Sequence, residues 1–159
     1  MTNLGRAAIV PVACMWLIAA GCTPAPATSN TPESGSPMPS SIVDPYLKIQ
    51  SALASDSMDE VKSSAGEIAT ASAPLGAPAF KIGTAAAQLT SAVELPDARQ
   101  KFAGLSAAII TYMDGLHLTP PEGVSVAQCE TTQKQWLQEG DSIANPYDGL
   151  SAPACGSLR

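Results

Sequence analysis

The chain has 159 residues, of which 45% are apolar and 14% are charged, and a net charge of −6 arises from 14 acidic residues against eight Lys and Arg. The apolar fraction is typical of a globular protein, and the length allows one domain with appendages. An acidic chain without any cluster of Lys and Arg argues against nucleic acid as a partner.

The first 21 residues predict a signal peptide. Arg6 supplies a positive charge, and residues 7–20 form an uncharged apolar run that is shorter than the roughly 20 residues of a bilayer span. The run ends in the sequence AAGC at residues 19–22, which resembles the lipobox of bacterial lipoproteins. In that motif small residues precede a cysteine whose thiol is acylated and before which the peptide is cut. The resemblance predicts a lipid-modified Cys22 at the start of the mature chain.

The lipobox interpretation also predicts a location. More than one acyl chain, at about 0.8 kcal/mol per buried CH₂, holds a protein stably at a membrane. By the same resemblance, Thr23 after the cysteine favours the outer membrane, facing the periplasm, in a host that has one. The alternative is an ordinary secretory signal that leaves Cys22 as a plain thiol.

Residues 22–41 are predicted to be a disordered tether that follows the lipid. Pro, Ser and Thr dominate residues 23–41, and Met38 is the only long apolar side chain among them. Such a segment buries too little apolar surface to offset the entropy lost on ordering. At about 3.1 Å per residue it would reach at most some 60 Å. The folded domain is then expected over residues 42–159.

Apolar residues recur with a period near 3.6 from residue 42 onward, which predicts four helices. We expect the first to begin at Asp44-Pro45, the second at a capping box over residues 57–60, the third near Phe80 and the fourth at Pro96-Asp97. The expected buried stripes are Ile42, Tyr46, Ile49 and Leu53; Met58, Val61, Ala65 and Ile68; Ile82, Ala86, Leu89 and Val93; and Ala98, Phe102, Leu105, Ile109, Tyr112 and Leu116. Short loops predict a mainly α fold, an up-down four-helix bundle.

Residues 119–159 predict an irregular C-terminal tail that carries short β segments. Residues 124–129 alternate like a strand, and residues 134–138 fit either a strand or a helical turn. The sequence NPYDG at residues 145–149 predicts a turn. Trp136, Asn145 and Tyr147 in this tail are candidates for contact with a ligand or partner, and the alternative is that they anchor the tail on the helices.

Two cysteines remain after Cys14 leaves with the signal peptide and Cys22 is acylated. In an oxidising compartment Cys129 and Cys155 favour a disulfide, worth about 3.5 kcal/mol in the chain-entropy model. A soft-metal site is the competing interpretation, because Met113 and His117 are four residues apart on the fourth helix and thiolates and thioethers select Cu(I). The third interpretation is that Cys129 and Cys155 are two free thiols.

The tail also carries a recognisable set of motifs. Cys129, Trp136-Leu137, the sequence IANPYDG at residues 143–149 and Cys155-Gly156 resemble the end of the bacterial domain of unknown function 3347. That family has C-P-M, W-L, N-P-Y-Y-G and M-x-x-C-G in this order. Residues 44–54 and 98–106 resemble its Y-L and R-x-x-F-x-x-L-S elements, so the likeness covers residues 42–159. The resemblance implies a periplasmic domain, found alone or fused to adaptor subunits of heavy-metal efflux pumps, and hence a link to copper or silver.

This chain departs from the family pattern at positions that bear on metal binding. Thr131 and Ala152 stand where the family has methionines, Glu130 replaces the proline and Asp148 replaces the second tyrosine. The thioethers are gone while both thiols remain. This combination favours a disulfide over a metal site.

Enzyme motifs are missing from the sequence. It contains no glycine-rich phosphate loop, G-x-S-x-G, H-E-x-x-H or paired-acid motif, and the single histidine, His117, has no nucleophile nearby in sequence. We therefore expect a non-catalytic, lipid-anchored periplasmic module that binds an envelope protein or a small ligand. The alternative is a copper- or silver-binding accessory lipoprotein that uses Cys129, Cys155, Met113 and His117.

Overall fold

The computed structural model describes residues 30–151 and 155–159, and the predicted signal peptide and Cys22 lie outside them. The fold is mainly helical, with a small three-stranded sheet and a disulfide between Cys129 and Cys155. The helices are α1 (Ser40–Ala54), α2 (Val61–Ser72), α3 (Phe80–Thr90) and α4 (Leu95–Leu116), and the strands are β1 (Val124–Gln128), β2 (Gln135–Glu139) and β3 (Ser157–Leu158). Short 3₁₀ turns span Ala73–Leu75, Ala77–Ala79 and Gly149–Ser151.

Each helix packs on the next one along the chain, and the sheet completes the core. α1 contacts α2, α2 contacts α3 and α3 contacts α4, whereas α1 and α4 touch only slightly. β2 lies against both α1 and α4. The strand order is β2-β1-β3, all antiparallel, with Ala127 of β1 opposite Trp136 of β2 and Leu158 of β3. The tail is therefore part of the core of the domain.

Helix α1 begins five residues before Pro45, the predicted first helical residue. Its first residue is Ser40, and Pro45, which we expected at the first helical position, lies inside the helix. A proline there removes one backbone hydrogen bond, to the carbonyl of Ser41. The prediction that Asp44-Pro45 starts the helix was wrong, although the stripe of Ile42, Tyr46, Ile49 and Leu53 is fully buried.

Residues 30–41, assigned to the disordered tether from composition, lie on the folded domain. The backbone N–H of Met38 donates to the carbonyl of Thr119 at 2.9 Å, and the N–H of Thr119 donates to the carbonyl of Ser36 at 3.0 Å. The side chain of Met38 is 1% exposed. These contacts with the segment after α4 supply the stabilisation that Pro, Ser and Thr side chains lack, so the boundary at residue 41 is corrected over this range.

The predicted capping box does not form. Ser57 Oγ accepts the backbone N–H of Asp59, two residues on, at 2.9 Å, and α2 begins only at Val61. Glu60 precedes it in the left-handed conformation with φ 58°. The local turn at Ser57 takes the hydroxyl that would have capped the helix. Val61, Ala65 and Ile68 are nonetheless buried, and Met58 packs against the core from the loop.

The remaining stripes are confirmed except at one residue. Ile82, Ala86 and Leu89 are buried in α3, but Val93 is 84% exposed because the helix ends at Thr90. In α4 the buried members are Ala98, Phe102, Leu105, Ile109 and Tyr112, with Leu116 half-buried. Residues 134–138, left open between strand and helix, contribute to a strand. Within the ranges that the structure describes, none of the helices is both long enough and apolar enough to span a membrane.

Candidate functional site

Trp136 and Tyr147, two of the predicted contact residues, lie together under the tail. Their ring centroids are 5.8 Å apart in an edge-to-face arrangement. Trp136 Nε1 donates to Gln138 Oε1 at 3.0 Å, and the Tyr147 hydroxyl donates to the carbonyl of Gln135 at 2.8 Å. Trp136 is 0% exposed and Tyr147 is 9% exposed. Neither ring offers a free face for stacking on a ligand, so the geometry favours the alternative that they anchor the tail.

Asn145 connects the turn to the end of the chain. Its Oδ1 accepts the backbone N–H of Tyr147 at 2.8 Å, and its Nδ2 donates to Asp148 Oδ2 and to the carbonyl of Cys155, both at 2.9 Å. The buried amide thus has both of its ends bonded within the protein. Gly149 closes the turn with φ 65°, as the NPYDG sequence predicts.

Tyr46 and Phe102 extend the aromatic contacts from the tail into the helices. The ring of Phe102 stacks on Tyr46 at 5.0 Å and meets Tyr147 at 6.0 Å. The Tyr46 hydroxyl shares a 2.6 Å hydrogen bond with Ser106 Oγ and accepts the backbone N–H of Leu137 at 3.1 Å. One phenol therefore joins α1, α4 and β2.

Both tyrosines are held in the neutral form by burial. Desolvation raises the pKa of Tyr147 to about 12 and raises the pKa of Tyr46 well above its ordinary value. A phenol that stays protonated throughout the physiological range serves as a hydrogen-bonding group. This chemistry suits a structural junction better than proton transfer.

Arg99 forms the polar edge of the same junction, although from the sequence it was only one position of the R-x-x-F-x-x-L-S element. Its Nε donates to the carbonyl of Pro146 at 3.1 Å, and one terminal nitrogen donates to the carbonyl of Leu53 at 2.9 Å and forms an ion pair with Asp56. The other Asp56 oxygen accepts the N–H of Leu150. The cue in the sequence was the rarity of arginine, since Arg99 is the only arginine between Arg6 and Arg159.

Replacing Arg99 by lysine is expected to lower the free energy of unfolding by about 1–3 kcal/mol, because an ammonium lacks the planar fork that reaches both carbonyls. Urea unfolding at neutral pH measures it. Lys101→Ala is the control, because the Lys101–Asp97 pair is local and partly exposed and contributes at most about 0.5 kcal/mol. Equal losses in the two variants would contradict the junction role of Arg99.

The same pair predicts a dependence on pH. The hydrogen bond from Arg99 holds the pKa of Asp56 below its ordinary value of 3.8. A lowered pKa in the folded state means that the carboxylate stabilises the fold above pH 3.8, and that this contribution disappears as pH falls through the lowered value. The stability difference between the natural chain and Asp56→Asn should therefore shrink on acidification below pH 3.8.

The structure joins Cys129 and Cys155 in a disulfide, with their Cα atoms 5.2 Å apart. Both thiols of the predicted soft-metal set are thereby used. Met113 is 4% exposed in the core, whereas His117 is exposed at the left-handed residue that ends α4. The two side chains therefore lie in different environments, one in the core and one in solvent. Within residues 30–151 and 155–159, no three His, Cys, Asp or Glu side chains lie close enough to hold a metal ion.

An open polar cleft runs between α1 and the tail. Its two adjoining parts, of about 520 and 500 Å³, share Leu47, Ser51, Ser55 and Glu139. Beyond these shared residues, one part reaches Gln50 and Asn145, and the other is lined by Asp44, Asp59 and Glu60 with Lys48 as its one base. Gln50 Nε2 donates to the carbonyl of Ala144 at 2.6 Å and fixes the floor. The cleft presents hydroxyl, amide and carboxylate groups, which suit a polar or cationic group.

The chain matches no protein-family model, no curated protein sequence and no solved structure.

Proposed function

We propose that this chain is a non-catalytic, lipid-anchored interaction module of the cell envelope, held at the periplasmic face of a membrane. The observation that carries the proposal is the short separation between Cys22, in its lipobox-like sequence, and Asn30, whose backbone is bonded to the folded domain. Acyl groups on Cys22 would hold the body close to the membrane. Thr23 favours the outer membrane where the host has one.

The proposal of an interaction site rests on a comparison between polar groups that bond within the chain and polar groups that are exposed in the cleft. At the tail junction Tyr46, Asn145, Tyr147 and Arg99 bond to other parts of the same chain. The α1 cleft, in contrast, is open and lined by exposed Ser51, Ser55 and Glu139. We propose that the junction is a rigid support and that this cleft contacts the envelope partner or small ligand.

The helix arrangement that we propose is an up-down bundle. Consecutive helices pack on each other and are connected by residues 55–60, 73–79 and 91–94. Connections this short favour antiparallel neighbours. In this arrangement β2 lies against both α1 and α4, which also touch directly at Tyr46 and Phe102.

The resemblance to the domain of unknown function 3347 stays a prediction, and the structure suggests what its motifs do. Arg99, Phe102, Trp136, Asn145 and Tyr147 belong to one connected set of contacts. We propose that these motifs specify the tail junction. This role needs no metal, and nothing in the arrangement of Met113, His117 and the paired cysteines favours the copper alternative.

Expression of the full chain in a bacterial host tests the anchor. The natural chain and Cys14→Ser should both fractionate with membranes, and their mature mass should equal residues 22–159 plus acyl groups. Cys22→Ser should remain without acyl mass and lose membrane attachment that resists salt. The matched control is Cys14→Ser, because both variants remove one thiol from the first 22 residues. Membrane attachment of Cys22→Ser equal to that of the natural chain would contradict the proposal.

A further inference from the structure

The longest acid-free stretch of the acidic domain runs from the end of α2 through α3. Residues 68–93 contain no Asp or Glu and a single base, Lys81, although the chain carries 14 acids in total. The flanking acids are Glu67 and Glu94. An anionic lipid surface, which repels the rest of the domain, meets no carboxylate from this stretch.

The same stretch exposes apolar side chains to solvent. Phe80, the first residue of α3, is 75% exposed. It lies between a groove of about 640 Å³ on the α2 side and one of about 430 Å³ on the α4 side, neither of which has an acidic residue in its lining. We call this surface the Phe80 face and define it by Ala69, Ala73, Ala77, Phe80, Lys81 and Ala108.

The chain enters the domain beside the Phe80 face. The backbone N–H of Asn30 donates to the carbonyl of Pro74 at 2.8 Å, and the Thr31 hydroxyl donates to the carbonyl of Leu75 at 2.9 Å. Pro74 and Leu75 belong to the turn that leads to Phe80. From Cys22 to Asn30 the backbone spans at most about 29 Å even when fully extended.

We propose that the Phe80 face lies against the bilayer that holds the lipid of Cys22, with the Phe80 ring among the headgroups and Lys81 beside lipid phosphates. This inference rests on the proposed anchor. The short connection gives the face a high effective concentration at the membrane surface. An aromatic ring with an adjacent base is the composition of segments that bind the interface. The start of α2 and the α1 cleft beside it then face away from the membrane.

Tryptophan substitutions in the mature chain, residues 22–159, test this orientation. Phe80→Trp and Leu150→Trp are a matched pair, because both positions are 75% exposed. Leu150 lies beside Asp56, near the start of α2, whereas Phe80 follows its end. Trp136 is fully buried and gives the same background in both. Each variant is placed, one copy per nanodisc, on phosphatidylglycerol-containing bilayers with brominated acyl chains.

Two preparations separate this inference from the anchor itself. One is the host-made protein, whose acyl mass is measured. The other is the mature chain, made without a leader and coupled through the Cys22 thiol to a maleimide lipid. In both, the indole at position 80 should be quenched about threefold more strongly than the indole at position 150 and should emit at shorter wavelength.

Each outcome has a distinct meaning. Weak and equal quenching at both positions in the coupled protein overturns the inference, whatever the acyl mass shows. A blue shift at position 80 without quenching by bilayer bromine also overturns it, because the groove would then hold the protein's own acyl chain. A blue shift at position 80 that appears only with two copies per nanodisc, and without quenching by bilayer bromine, assigns the face to a second copy instead. Strong quenching in the coupled protein, together with no acyl mass on the host-made protein, supports the proposed orientation of the Phe80 face. The same result contradicts the natural acylation of Cys22.

Discussion

Replacing Cys129 and Cys155 together by alanine is expected to lower the free energy of unfolding by about 3.5 kcal/mol. The two residues are 26 positions apart, and their bond restricts the unfolded chain. In the folded state the bond connects β1 to the last five residues, whose strand β3 has only two residues. Alanine is chosen because Cys129 is 1% exposed and a serine hydroxyl would be buried there. Urea unfolding under non-reducing conditions measures the loss.

The natural chain in reductant is the control for this experiment. Reduction should move its unfolding midpoint most of the way to that of the double variant, and the double variant should not respond. Titration of the oxidised mature chain should find no free thiol on Cys129 or Cys155. Two titratable thiols there, or a stoichiometric Cu(I) complex tighter than micromolar that Cys129→Ser abolishes, would contradict the disulfide interpretation and restore the metal alternative.

The helical part of the fold was predictable because the apolar residues that recur with the helical period are the ones that the helices bury. Of the four members of the α3 stripe, three are buried, and Val93 failed only because the helix ends one turn early. Helix starts were less predictable, since they depend on which of several competing bonds forms. Ser57 had the sequence of a cap but bonds to Asp59, and Pro45 had the position of a first residue but lies inside α1.

Long-range contacts account for what the sequence did not reveal. The Tyr46 hydroxyl bonds to residues 60 and 91 positions away, and Met38 is buried through bonds to Thr119. Composition alone therefore assigned residues 30–41 to the tether. Cysteine counting pointed to the disulfide as the favoured pairing, because oxidising surroundings leave few partners for two thiols. The role of Arg99 needed the distances to two backbone carbonyls.

The largest side chain that the tail contributes to the core is Trp136, and the end of the chain packs against it. A Cβ on Gly156 would lie 2.8 Å from the Trp136 ring and 3.0 Å from Ile143, so a residue other than glycine would force them apart. Gly156 follows Cys155 directly, and the carbonyl of Cys155 accepts the Asn145 amide. The indole, the disulfide and the Asn145 amide therefore hold the same short segment.

Replacing Trp136 by alanine is expected to lower the free energy of unfolding by about 3–5 kcal/mol, because it removes the largest fully buried side chain and leaves a cavity beneath the tail. Chemical unfolding followed by circular dichroism measures the loss. Leu150→Ala is the control, since that side chain is 75% exposed and its removal should change the free energy by no more than about 0.5 kcal/mol. Similar effects from the two substitutions would contradict the burial of Trp136.

Because the indole and the disulfide hold the same segment, their losses should not add. Removal of the disulfide frees Cys155 and Gly156, and Trp136 then has fewer native contacts left to lose. The variant lacking Trp136 and both cysteines should be more stable than the sum of the separate losses predicts, by more than about 0.5 kcal/mol. Strict additivity would mean that the indole stabilises β2 and the helices independently of the chain end, and that the two features are separate supports of the fold.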